Sequence, residues 1–412
     1  MKSLNYSFRY LCALLCFLFA IVSNYIELDI YNVVCIILLC LDVVAYYSIK
    51  KNLKITRRVG VILVLWIIII GYNFMIDPVP SKKLITYFCY FFIGLIAGVD
   101  SRKGDLSSRL TLLRMFLYVL TITAVYGVIE SVFGNYLDAY AVRVYASTHR
   151  LHSVFLHPII FSAMMLQAFI INHYITQNII IKNVLGYIYI YCIVMSLTRG
   201  TWVVLLIVVL FMLLNRKYTQ GLPIIGKKIK TRHIIELIVV ILLTVLIAFR
   251  MNLPSYISMI LSRWAMLEGS NSITYRTATL SAVINSRMAD GNILHWIMGS
   301  GYHTAQKAVG GIGLYLTTIG NSVVDNEWIC IAYDFGLFGF VIMCECLIFS
   351  VKWYFDKESS REAMIISLCI IGNLFLCIFS DLLGWATVGA YTFILIGTLL
   401  STRTVVRKHN NE

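Results

Sequence analysis

Residues 59–76 read VGVILVLWIIIIGYNFMI, without a single charged side chain. A helix rises 1.5 Å per residue, so ~20 such residues span the hydrocarbon core of a bilayer. A helix of that length on a soluble protein would keep a polar face for water. This stretch has none, and lipid is its natural solvent. Eleven further apolar runs resemble it, at 10–26, 30–47, 84–99, 110–131, 158–174, 179–197, 200–214, 234–250, 328–350, 364–380 and 382–400. The expected fold is therefore all-α, a polytopic membrane protein of about twelve transmembrane helices. Against this background one long polar segment stands out, Met251 to Asn326, between the ninth and tenth runs.

Composition points the same way. Of 412 residues, 60% are hydrophobic and 13% charged, with a mean hydropathy of +0.83, a balance that excludes a soluble domain of this size. With five prolines and no low-complexity run, residues 1–412 read as a single polytopic domain. The first run follows Lys2 and Arg9 but lacks a small-residue cleavage site, and reads as a retained span. The net charge of +14 does not signal nucleic acid, because the basic residues lie in short loops between spans. With the N-terminus inside, inner segments hold 22 lysines and arginines and outer ones 10, which predicts cytoplasmic termini. Residues 178–214 could form one broken helix or two. Only two place both of the most basic loops, 48–58 and 215–233, on the inner side. The eleven cysteines lie nearly all within apolar runs, and predict neither disulfides nor a metal site.

Two outer loops remain to carry chemistry. Residues 132–157 hold Arg143, His149, Arg150, His152 and His157; the histidine spacings, with no nearby carboxylate pair, do not suit zinc. Residues 251–326 exceed what connectivity requires. Within them Arg276, Leu280, Val283 and Arg287 recur at helical spacing, placing both arginines on one half-apolar face suited to the membrane interface and lipid phosphates. Asp325 could cap a helix starting near Trp328, and Asp381 reads as a cap between the last two spans. The spans show no internal repeat, which speaks against many carriers.

Four segments, read in order, resemble the O-antigen ligase and polymerase superfamily of bacterial envelope glycan synthesis. They are His149-Arg150-Leu151-His152-Ser153-Val154-Phe155-Leu156-His157-Pro158; Ser196-Leu197-Thr198-Arg199-Gly200; Tyr275-Arg276 followed by Ile297-Met298-Gly299-Ser300-Gly301-Tyr302; and Asp325-Asn326-Glu327-Trp328 with Gly336-Leu337-Phe338-Gly339. The resemblance covers roughly residues 110–350. Where ligases of this superfamily carry a histidine, this chain has Asp325, and His303 is the nearest histidine upstream. That departure favours a polymerase of the Wzy type.

The resemblance implies a GT-C-like glycosyltransferase in the bacterial plasma (inner) membrane, inverting, metal-independent and without a cofactor. Its partners would be polyprenyl-diphosphate-linked oligosaccharides as donor and acceptor, membrane lipid, a chain-length regulator and a repeat-unit flippase, with no nucleic acid. Arginines would neutralise the departing diphosphate: Arg199 and Arg276 first, Arg150 next, with Arg287, His303 and Asn326 completing the binding set. Asp325 would orient or deprotonate the acceptor hydroxyl, with Glu327 as substitute. A ligase acting on lipid A-core, a polysaccharide flippase and an inactive assembly scaffold are the alternative readings.

Overall fold

The structure is a computed structural model describing residues 2–23, 28–49, 57–101, 110–134, 150–155, 157–215, 271–310 and 324–402. Regular structure among these is entirely helical. The helices are α1 Lys2–Val22, α2 Leu28–Ile49, α3 Arg57–Ile76, α4 Pro78–Ser101, α5 Thr111–Phe133, α6 Pro158–Ile175, α7 Ile179–Met195 and α8 Arg199–Leu214, followed by α9 Asn271–Ala289, α10 Ile293–Met298, α11 Thr304–Gly310, α12 Glu327–Asp334, α13 Gly336–Phe355, α14 Arg361–Leu376 and α15 Ala386–Thr402. Among the described residues five stretches are long and apolar enough to cross a membrane: Val59–Ile76, Pro78–Gly98, Thr111–Phe133, Pro158–Ile175 and Gly336–Phe355. Shorter apolar helices lie in α1, α2, α7, α8 and α15. These are the helices of an α-helical membrane protein. The expected span 234–250 and the first part of the long polar segment, 251–270, lie outside the described residues.

Two local differences from the sequence reading, and one agreement with it, matter for the site. The tenth run is broken: α12 ends at Asp334, and α13 begins after Phe335 with Gly336 at φ +64°. The break exists because α10 abuts it. A Cβ on Gly336 would lie 2.5 Å from the Ile297 carbonyl oxygen, and one on Gly299 (φ +89°) 2.0 Å from that of Asp334. Only glycine permits both the approach and the positive φ. The last two runs are also shorter than expected, and 377–385 is irregular between α14 and α15, so Asp381 sits in a loop rather than at a helix N-terminus. Residues 178–214 form two helices, capped by Asn178 at the start of α7 and turning at 196–198.

The chain forms two compact units, Met1–Leu112 with Thr274–Glu412, and Leu113–Ile273. In the first, α4 and α15 pack along each other, with Phe91, Leu95, Trp66 and Phe393 among the side chains packed together there. A satellite core of Val283, Ala305, Val309, Val324, Cys330 and Tyr333 joins α9, α11 and α12. In the second unit α6 is apolar nearly all round and buried nearly all round, as that pattern requires. The segment 299–307 is tied to the α3–α4 junction: Tyr72 Oη donates to the Gly299 carbonyl at 2.9 Å, and the Tyr302 amide to Asn73 Oδ1 at 2.6 Å. Lys307 Nζ meets Asp77 Oδ2 at 2.7 Å, which holds the Asp77 carboxyl below its ordinary range.

Candidate functional site

In the second unit the first two of the four segments meet. Arg150 Nε donates to the Ser196 carbonyl at 3.0 Å and Nη2 reaches Thr198 Oγ1 at 3.4 Å. The Leu151 amide donates to the Met195 carbonyl at 3.2 Å. Arg150 is thereby clamped to the turn that opens α8 at Arg199. The turn is tight enough to place Leu197 at φ +54°. Behind it, buried Glu130 of α5 accepts from the Ser153 amide at 2.6 Å and contacts His152 Nδ1 at 3.0 Å. This fixes Ser153 at φ +53°. His157 is a helix cap: its Nδ1 accepts from the Ile159 amide at 3.2 Å, and burial with nearby Arg150 lowers its pKa to about 3. His149 lies outside the described residues.

In the first unit the third and fourth segments meet. Arg276 Nε and Asp325 Oδ2 form an ion pair at 3.0 Å, with 39% and 28% of their side chains exposed. The face bearing Arg276, Leu280, Val283 and Arg287 does exist on α9. It packs inward against α11 and α12 rather than outward toward lipid. Periodicity defines a face; the partner that face meets is set by the rest of the chain. Arg287 is consumed by this packing: it donates to the Tyr333 carbonyl, lies 4.2 Å from that ring's centre, and pairs with Asp290 at 3.5 Å. The cap of α12 is Asn326, not Asp325; its Oδ1 accepts from the Ile329 amide at 3.2 Å. The His303 amide donates to Asp334 Oδ2 at 2.6 Å, and burial, with Lys83 nearby, lowers the imidazole pKa.

Beside this pair lies a buried group that the sequence reading did not assemble. Glu327 Oε2 accepts from the Leu383 amide at 3.1 Å, and the Glu327 amide donates to the Cys377 carbonyl at 2.9 Å. Its carboxyl also hydrogen-bonds the Asp381 carboxyl. Burial first, and then the Asp381 charge, push the Glu327 pKa well above the ordinary carboxylate range. Two carboxyls that face one another in this way disfavour the ionisation of both together. Gln306 Nε2 fixes the other side of Asp381, donating to Oδ2 at 2.7 Å. Lys83 donates to the Gly384 carbonyl, within electrostatic reach of both carboxyls. Tyr87 Oη donates to the Leu383 carbonyl at 2.8 Å and lies 3.4 Å from Tyr302 Oη.

Asp334 closes the group, accepting from the Ala305 amide at 2.8 Å and from Thr304 Oγ1 at 3.1 Å. Burial outweighs these hydrogen bonds and raises its pKa to about 7. Each of these acids, and Lys83, stands inside or beside an apolar run. Ionisable residues in that setting mark functional positions by default, and that was the available signal.

The arrangement offers a forked cation, Arg276, and a carboxyl pair able to hold and pass a proton, separated by the two-residue step from Asp325 to Glu327. Such a set can stabilise an anionic leaving group and accept a hydroxyl proton. The structure joins Arg150 with the turn of Arg199 in one unit, and Arg276, Arg287, Asp325, Asn326, Glu327 and His303 belong to the other. Neither a family model nor a curated protein matches this chain.

Proposed function

We propose that this chain is a polysaccharide polymerase of the bacterial plasma membrane. It joins polyprenyl-diphosphate-linked oligosaccharide repeat units on the outer face, within a twelve-span, GT-C-like architecture whose termini are both cytoplasmic. The observation that carries the reading is the Arg276–Asp325 ion pair two residues from Glu327, whose buried carboxyl faces that of Asp381. In the proposed reaction an acceptor hydroxyl oxygen attacks the donor's anomeric carbon. The bond from that carbon to the diphosphate oxygen breaks, and polyprenyl diphosphate leaves. The hydroxyl proton passes to Asp381, steadied by its hydrogen bond from Glu327. The Arg276 guanidinium presents two parallel donors to the departing phosphate oxygens, which lysine cannot do. A repeat-unit flippase and a chain-length regulator act before and beside the enzyme.

The test is polymer formed from purified lipid-linked repeat units by the reconstituted chain, with and without chelator. Polymer that lengthens in chelator and is lost in Arg276→Lys supports the reading. Activity abolished by chelator and restored by divalent metal overturns the mechanism. Transfer to lipid A-core without lengthening would replace polymerase by ligase.

One observation favours a second reading. A buried glutamate facing an aspartate beside a lysine, in a membrane protein, also suits proton-coupled transport of a lipid-linked glycan. Movement of repeat units across proteoliposomes, driven by a pH gradient and forming no new glycosidic bond, would decide for the carrier.

A further inference from the structure

We propose that α10, with the end of α9, is seated in the membrane at the boundary between headgroups and acyl chains, beside the first turn of α13. This does not depend on the polymerase reading. The first observation is exposure. None of the six residues of α10 is buried; Ile293 is 74% exposed, Leu294 52%, Trp296 46% and Ile297 50%. Ile284 and Met288 of α9 are exposed as well. A contiguous patch of large apolar side chains is not left to water without a partner.

The second observation is depth. At 1.5 Å per residue the 20 residues of α13 measure about 30 Å, the thickness of the hydrocarbon core. The first residue of α13, Gly336, therefore lies near the boundary. Ile297 of α10 is held against that same glycine, 2.5 Å from where its Cβ would be. Contact with a spanning helix thus fixes the level of α10.

The third observation is continuity, and it names the occupant. Leu337, Phe340 and Val341 of α13 are exposed on a helix that must present a face to lipid, and α10 packs on α13. Phospholipid that covers α13 at this level covers α10 too. The chemistry suits the level, since tryptophan prefers the interface. His295 is bonded to Asp290 at 2.6 Å, and this bond holds the Asp290 carboxyl below its ordinary range. A seated helix of this kind buries its apolar side roughly 5–10 Å into the boundary.

The experiment uses the full chain in nanodiscs containing phospholipid brominated at shallow or deep acyl positions. Tryptophan emission of the wild type is compared with that of Trp296→Phe, which retains an apolar ring; the difference isolates Trp296 from the other six tryptophans. The expected result is a Trp296 signal quenched by shallow bromines more than by deep ones, and shielded from aqueous acrylamide. Quenching by acrylamide with no effect of brominated lipid overturns the proposal in favour of a water-exposed helix. Shielding from both quenchers, with cross-linking between copies, overturns it in favour of a second chain. Failure of polymer synthesis alone leaves the quenching result unchanged, so the two readings fall separately.

Discussion

Glu130 and Glu327 are both buried carboxyls, one in each unit, and their neighbours differ in kind. Among the described residues the amides of His152 and Ser153 donate to Glu130, and the His152 ring lies 3.0 Å away. Around Glu327 one amide donates, and the remaining contact is a second carboxyl, Asp381. A carboxylate surrounded by donors is a clamp, holding the turn that carries Arg150. A carboxyl facing another carboxyl keeps a proton it can pass on. Burial alone does not identify chemistry; the partner does.

Substitution can break that contrast. The largest effect is expected for Asp381→Asn, which removes a carboxylate oxygen facing Glu327; under the polymerase proposal it should lower polymer formation by about 10²–10⁴-fold. Stability in detergent should stay close to wild type. Full activity of this variant would put Glu327 in the same class as Glu130. Glu130→Ala is the mirror case. It strands buried donors, and should cost about 3–5 kcal/mol of stability, seen as loss of folded protein on size-exclusion chromatography. Normal yield and melting would mean that the clamp is ornamental.

Arg276→Lys should remove most polymer synthesis, because lysine keeps the charge and loses the fork. The half-exposed pair with Asp325 contributes no more than about 1 kcal/mol, so melting should barely move. A further effect, on stability alone, concerns Asp334, whose carboxyl rises from 3.8 to about 7 on burial. Between those values the folded chain binds a proton that the unfolded chain does not. Its contribution to stability is therefore greatest in acid and declines as pH rises toward about 7. Asp334→Asn should flatten that part of the melting profile, and an unchanged slope would remove Asp334 from the titrating set.

The helices were legible in the sequence wherever apolar length alone decides, as in 59–76 and 158–174. Ends were less so. The apolar run 328–350 gave no warning of the break at Phe335, because the break is imposed by α10 pressing on Gly336. For the site, Arg276 and Asp325 were visible as residue types, and their pairing came from packing across 49 positions. Asp381 looked like a helix cap because local spacing says nothing of Gln306, 75 residues away, or of Glu327. Arg287 kept its predicted face, yet that face turned toward Tyr333.

Lys83 and the Gly384 carbonyl that receives its hydrogen bond are separated by 301 residues. At translation rates of about 5–20 residues per second, the acceptor is made about 15–60 s after the lysine. Throughout that interval α4 already exists with an ammonium group near one end, and the loop that answers it has not left the ribosome. Insertion of the first helices must therefore tolerate an unanswered charge, held by headgroups or water until the last hairpin arrives. A nascent chain halted at Leu376, the end of α14, would carry Arg276, Asp325 and Glu327 and still lack Asp381 and the Gly384 carbonyl. The contacts of Lys83 with Gly384 and of Glu327 with the 377–385 loop therefore form only after that loop has been made.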